Sequence, residues 1–140
     1  MNKIVFISCV SKKLSHTARA KYLYISPLFK KSLAFARSLS PDKIFILSAK
    51  YGLVNLEQEL KPYEQTLSTM SVYEIKHWSE KVKSQMKEKI NFETSEAVFL
   101  AGEKYRRHLI RLFKKNQVPL EGLGIGRQLQ FLNNKLHHDK

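Results

Sequence analysis

Two tyrosines and three glutamates crowd one stretch of this sequence: Tyr51-Gly52-Leu53-Val54, Glu57 and Glu59, then Lys61-Pro62-Tyr63-Glu64. The face of a tyrosine ring can stack on a nucleobase, and a carboxylate taken out of water can serve as a general base. Tyr51 and Tyr63 are therefore read as base-contacting residues and Glu64 as the acid–base candidate. The competing reading is that the tyrosines close over the core while the glutamates stay solvated. Lys12, Lys13 and Lys50 follow strand-like runs and suit phosphate, although solvated lysines would look the same. Gly122-Leu123-Gly124-Ile125-Gly126-Arg127 precedes a helical pattern and could offer amides and a cation to an anion. Its glycine spacing and late position are not those of a dinucleotide fingerprint. Ser8-Cys9 could host a nucleophile, but no His paired with Asp or Glu follows at a family-specific spacing. His16, His77, His108, His137 and His138 lack metal-ligand spacing, so neither a metal nor a cofactor is expected.

These residues need a scaffold, and the pattern supplies one. Lys3–Ser8, Ile44–Leu47 and Ala97–Leu100 are continuous apolar runs, as in parallel strands covered on both faces. A fourth, short strand is expected over Gln117–Leu120, near an edge because Pro119 lacks an amide donor. Helices are expected between them. One starts at the Ser26-Pro27 cap and stops at Ser40-Pro41-Asp42. A second opens at the Ser71/Glu74 capping box. A third carries Tyr105, Leu109, Leu112 and Phe113 inward, and a last one carries Leu129, Leu132 and Leu136. Residues 49–70 read as a long loop. The result is a single α/β domain over residues 1–140. It is an α/β/α sandwich around a four-stranded parallel sheet of order 2-1-3-4.

In such a sheet ligands bind beyond the carboxyl ends of the strands, at the switch point. Ser8, Cys9, Ser11, Lys12 and Lys13 arrive there from the first strand. Lys50, Tyr51 and Gly52 come from the second. Gly102, Tyr105 and Arg106 come from the third, and Gly124 and Arg127 from the fourth. All five glycines of the chain fall in these loops, where backbone must approach a ligand or adopt a positive φ.

Composition narrows the class of function. The 140 residues carry 25 Lys and Arg against 12 Asp and Glu, a net charge of +13. The excess sits at both ends: ten basic and one acidic residue over 1–50, and nine and three over 103–140. Such a balance favours a polyanion, nucleic acid or nucleotide, as partner. One cysteine excludes a disulfide framework, and 43% hydrophobic residues exclude disorder as the main state. No run approaches the roughly 20 apolar residues of a membrane helix. The apolar run at the start is too short for a secretion signal, so a soluble cytoplasmic protein is expected. The oligomeric state is not legible.

Several of these segments look familiar. Ser8-Cys9-Val10-Ser11-Lys12-Lys13, then Ala20, Leu23, Tyr24, Ser26 and Phe29, then Ser48-Ala49-Lys50-Tyr51-Gly52-Leu53-Val54 and Leu60-Lys61-Pro62-Tyr63 resemble a family of small uncharacterised bacterial, archaeal and phage proteins. Over about 20 residues, Tyr51-Gly52 and Pro62-Tyr63 are also similar to a motif of the peroxide-stress protein YaaA family. That family binds DNA and is compared in fold with uracil-DNA glycosylases, so the resemblance implies a uracil-DNA-glycosylase-like fold and a role on nucleic acid or nucleobases. The loop after Ser8 holds lysines and serines where the glycosylase loop carries an aspartate. The expectation is a nucleic-acid- or nucleotide-directed protein with a nucleobase cleft at the sheet's carboxyl edge. If it is an enzyme, it acts on an N-glycosidic bond or modifies a base. The alternative is a non-catalytic DNA- or RNA-binding module using a basic face.

Overall fold

The apolar runs do become strands, and short polar segments between them add more. In the computed structural model, which describes residues 1–8 and 12–138, the chain opens with β1 (Asn2–Ser8). It continues through β2 (Ala18–Arg19), α1 (Ala20–Leu23), α2 (Pro27–Ser38), β3 (Lys43–Ser48), β4 (Gly52–Asn55) and β5 (Glu59–Leu60). Then come α3 (Val72–Lys87), β6 (Ser95–Leu100), α4 (Glu103–Arg106), β7 (Lys115–Gln117) and α5 (Ile125–His138). Short 3-10 turns cover Leu67–Thr69 and Ile110–Leu112.

The main sheet has five strands in the order β4-β3-β1-β6-β7. β1 lies parallel between β3 and β6, and β7 is parallel to β6. The parallel strands thus stand in the expected order. The expected four-stranded, all-parallel sheet is corrected by β4, which pairs antiparallel with β3. After Ser48 the chain turns through Ala49, Lys50 and Tyr51, and Gly52, at φ +77°, starts the return. Four residues with Leu53 and Val54 both buried give no alternation to read, so this strand looks like loop. The rest of the expected loop also carries structure, because β5 pairs with β2 in a separate two-stranded ribbon.

β1 leads to β3 on one side, and the chain then recrosses β1 to reach β6. Right-handed crossovers in opposite directions put α2 and α3 on opposite faces. α5 packs against α2, and α3 packs against β4 and α4. The expected third helix is broken instead into α4 and a 3-10 turn. Asn116 donates its side-chain amide to the carbonyls of Ile110 (3.3 Å) and Phe113 (2.9 Å), which satisfies the end of that turn. The expected fourth strand shifts to Lys115–Gln117, three exposed polar residues at the sheet edge, leaving Pro119 outside it.

Both expected caps form. Ser26 Oγ accepts from the Phe29 amide at 3.2 Å, with Pro27 in the first helical position. At α3, Ser71 Oγ accepts from Glu74 N (3.1 Å) while Glu74 Oε1 accepts from Ser71 N (3.0 Å). The Ser71 amide holds the Glu74 carboxyl below its ordinary value of 4.5. Glu57, bonded by Lys21 and paired with Arg19, and Glu103, bonded by Arg107, are lowered in the same way. A carboxyl lowered by folding contributes stability above its unfolded value and loses it as pH falls through the folded one. The denaturation midpoint is therefore expected to drop as pH is taken from 5 to 3. Glu74→Gln should show a shallower drop, measured by urea titration at each pH; an unchanged slope would deny the cap its role.

Among the described residues, no helix is long and apolar enough to cross a membrane. No group of three or more metal-ligating side chains is found there either.

Candidate functional site

β1 and β6 are parallel neighbours, and a cavity opens beyond their carboxyl ends, where open α/β sheets collect ligands. Ser8 closes β1, and its Oγ accepts from the Gly102 amide at 3.1 Å, stitching the two strand ends together. The first turn of α2 returns to this gap with Ser26, Leu28 and Phe29. The turn before α5 reaches it as well, through Gly122 at φ +80° and Leu123. Gln128 holds that turn by donating Nε2 to the Leu123 carbonyl at 2.8 Å. These segments enclose a cavity of about 380 Å³, within the size range of small-molecule sites. Leu28, Phe29, Leu100 and Leu123 give it apolar walls; Ser8, Ser26, Ser32 and Gln128 give it polar ones.

Arg106 supplies its charge. The side chain is only 14% exposed, and its Nη1 donates to the Ala101 carbonyl at 2.9 Å. Its ion-pair partner, Glu121, lies 3.6 Å from Nη2 and is itself mostly exposed. The adjacent Arg107 is placed differently. It grips Glu103 with two bonds of 2.6 and 2.8 Å on the surface, which lowers the Glu103 carboxyl and raises the Arg107 guanidinium. Glu103 is thereby committed to Arg107 rather than to Arg106.

A second cluster adjoins the cavity at the end of β3. Ser48 Oγ donates to Tyr63 OH at 2.9 Å and accepts from the Tyr51 amide at 3.0 Å. Tyr63 OH also meets Tyr24 OH at 2.6 Å. Lys13 Nζ stands 4.4 Å from the centre of the Tyr63 ring, whose edge contact with Tyr51 spans 5.6 Å. Two bridges join this cluster to the cavity. Tyr24 leans on Phe29 at 5.1 Å. Trp78, bonded through Nε1 to the Ser48 carbonyl, meets the Tyr105 ring at 5.6 Å.

Of the residues singled out from sequence, Ser8, Gly102, Tyr105 and Arg106 line the cavity. Lys50, Tyr51 and Gly52 form the β3–β4 turn beside it. Tyr63 belongs to the buried tyrosine cluster. Lys12 and Glu64 are exposed and outside the lining, as are Gly124 and Arg127 at the start of α5. Cys9 and Ser11 lie outside the described residues. Sequence reasoning places Glu121 at this edge, after the fourth strand, but missed Ser32 and Gln128. For Gln128 a signal is present: in a parallel sheet the first turns of the helices face the same edge as the strand ends, so a residue one turn past Gly124 belongs to the site, whereas Ser32 lies deeper in α2 than that turn.

A larger, open depression of about 830 Å³ lies at the other end of the molecule, between the segments that enter β6 and β7. Volume alone does not make it the site, because ligands of open α/β sheets collect at the carboxyl edge.

Residues 4–134 match a family described as a family of unknown function, DUF6884. The chain belongs to DUF6884. The match runs from β1 into α5, so the DUF6884 region holds every strand of the main sheet and every residue of the cavity. No curated protein matches this DUF6884 chain.

Proposed function

We propose that this DUF6884 protein binds a nucleotide or another base-bearing ligand in the cavity beyond β1 and β6. The observation that carries the reading is the Arg106 guanidinium, 14% exposed, at a cavity of about 380 Å³ on the sheet's switch point. Removing a cation from water is costly unless the site uses it, and a loose pair to an exposed carboxylate offsets little of that cost. The first turns of α2 and α5 add partial positive charge on the same side. Apolar walls and the Tyr105 ring suit a planar, half-apolar group. Glu64, the acid–base candidate from sequence, is exposed and outside this lining.

A second reading rests on Lys12, Lys50 and Lys61 on loops and Lys104 on α4, all exposed near this edge. Lys104 Nζ reaches the Ser68 carbonyl, and Lys81 Nζ reaches the Lys50 carbonyl. Such a rim could track a phosphate backbone without catalysis.

One experiment separates the two. Thermal unfolding is followed with nucleosides, nucleoside monophosphates and a single-stranded oligonucleotide, on wild type and on Ser32→Leu, which fills the cavity. At a hundredfold excess over Kd a cavity ligand adds about 2.7 kcal/mol, a rise of roughly 8 °C in Tm. The cavity reading expects this rise with mononucleotides and its loss in Ser32→Leu. An oligonucleotide that alone binds, with an affinity falling steeply in salt, would favour the rim. No shift with any of them would contradict both.

A further inference from the structure

We propose that Glu121 is a built-in stand-in for a ligand phosphate: its carboxylate holds Arg106, and a phosphomonoester binds by displacing it. This rests on the cavity reading above and names the end of the ligand that Arg106 takes.

The argument begins with the donors of Arg106. A guanidinium has five N–H groups in a planar fork that matches two oxygens of a carboxylate or phosphate. In Arg106, Nη1 serves the Ala101 carbonyl at 2.9 Å, which aims the fork from behind. The contact to Glu121 Oε2 from Nη2 is 3.6 Å, beyond a hydrogen bond and far from the 2.7–2.9 Å typical of charge-assisted pairs. The neighbouring Arg107 shows what a committed pair in this segment looks like, with 2.6 and 2.8 Å bonds to Glu103 one turn away. Two consecutive arginines thus differ in kind. One is saturated on the surface, and the other is sheltered beside a cavity with a weak partner.

Glu121 is suited to leave. Its side chain is 67% exposed, against 14% for Arg106, so rotating into solvent restores its hydration. It sits in the turn between β7 and α5, next to Gly122 at φ +80°. A carboxylate in this position neutralises the sheltered cation before ligand arrives and weakens no other contact when it swings away. A phosphate offers two or three oxygens to the fork, and the first turns of α2 and α5 favour its double charge. The exchange replaces one poor ion pair with a bidentate one, and its cost is the competition from Glu121 itself.

The test is titration calorimetry with the ribonucleosides and their 5′-monophosphates on wild type, Glu121→Gln and Arg106→Gln. In wild type the preferred monophosphate should bind about tenfold tighter than its nucleoside, a gap of about 1.4 kcal/mol. In Glu121→Gln the monophosphate should gain roughly three- to tenfold while the nucleoside is unchanged, because only the competing charge is lost. In Arg106→Gln the two ligands should bind alike. Glu121→Gln alters an exposed side chain, so it decides the matter even if Arg106→Gln does not fold. Equal or weaker monophosphate binding by Glu121→Gln overturns the inference. Equal binding of nucleoside and monophosphate in wild type overturns it too but leaves the cavity reading standing. Absence of binding by either removes both.

Discussion

Replacing Phe6 with alanine is expected to cost about 3–5 kcal/mol, a large share of the roughly 5–15 kcal/mol that holds a domain folded. Phe6 is fully buried on the central strand, and the parallel registers set it beside Phe45 on β3 and Phe99 on β6. The three rings stack across the sheet, with centroids 6.0 and 5.0 Å from Phe6. Phe113 closes over the row, 5.6 Å from Phe6 and 6.2 Å from Phe99. Removing the middle ring leaves a cavity that three strands must share. Phe6 also lies two residues before Ser8 on the same face of β1, so its loss would loosen the Ser8–Gly102 stitch. Urea titration should show the midpoint falling sharply with an unchanged slope. A loss under 1 kcal/mol would mean that the sheet repacks freely, contrary to this account.

Gly52→Ala is expected to cost about 3 kcal/mol, for two separable reasons. Gly52 has φ +77°, where an L side chain costs roughly 1–2 kcal/mol. A Cβ there would also stand 2.2 Å from Gln85 Oε1. That oxygen accepts from the Leu53 amide at 2.8 Å, and Gln85 Nε2 donates to the Tyr51 carbonyl at 3.2 Å. Moving Gln85 aside therefore loses two bonds, each worth about 1 kcal/mol. The arithmetic predicts coupling. Gln85→Ala removes the obstacle in advance, so the double variant should cost less than the two singles together by about 1 kcal/mol or more. Strict additivity in thermal or chemical unfolding would show that the clamp is not what Gly52 accommodates.

These two sites also mark what sequence could and could not reveal. Phe6, Phe45 and Phe99 lie in apolar runs, and continuous burial of a parallel strand leaves its signature in composition. Ser26, Ser71 and Glu74 announced helix starts because capping is local chemistry. Gly52 reads from sequence as a ligand approach or a positive φ, and it takes the second, at +77°. Its role in the β3–β4 turn depends on a glutamine 33 positions later, which no local pattern encodes. The same holds for Tyr63. Its neighbours in sequence allow either a stacking surface or a cover over the core, and Tyr24 and Ser48 draw its hydroxyl into the interior. β7 escaped correct placement because an edge strand of Lys115, Asn116 and Gln117 carries no apolar signal. At the site, topology alone brought Ser8, Gly102, Tyr105 and Arg106 together. Ser32 was hidden because it lies past the first turn of α2, where no cap or glycine marks it.

Charge took a comparable course. The excess of lysine and arginine is legible from composition, and the proposed function draws on one residue of it, Arg106. Most of the lysines are solvated, and Arg107 is already paired. Arg106 differs from them by burial and by the quality of its partner, properties that exist only after folding.

The central claim is that the cavity beyond β1 and β6 is where this protein meets its ligand. Backbone amide chemical shifts, followed while a nucleoside monophosphate is titrated into the uniformly ¹⁵N-labelled full chain, test it most directly. The account predicts saturable shifts centred on Ser8, Ser32, Gly102, Arg106 and Gln128, with little change at Glu64 or Arg127. Saturable shifts centred instead on Glu64 and Lys61, or at the segments entering β6 and β7, would contradict it.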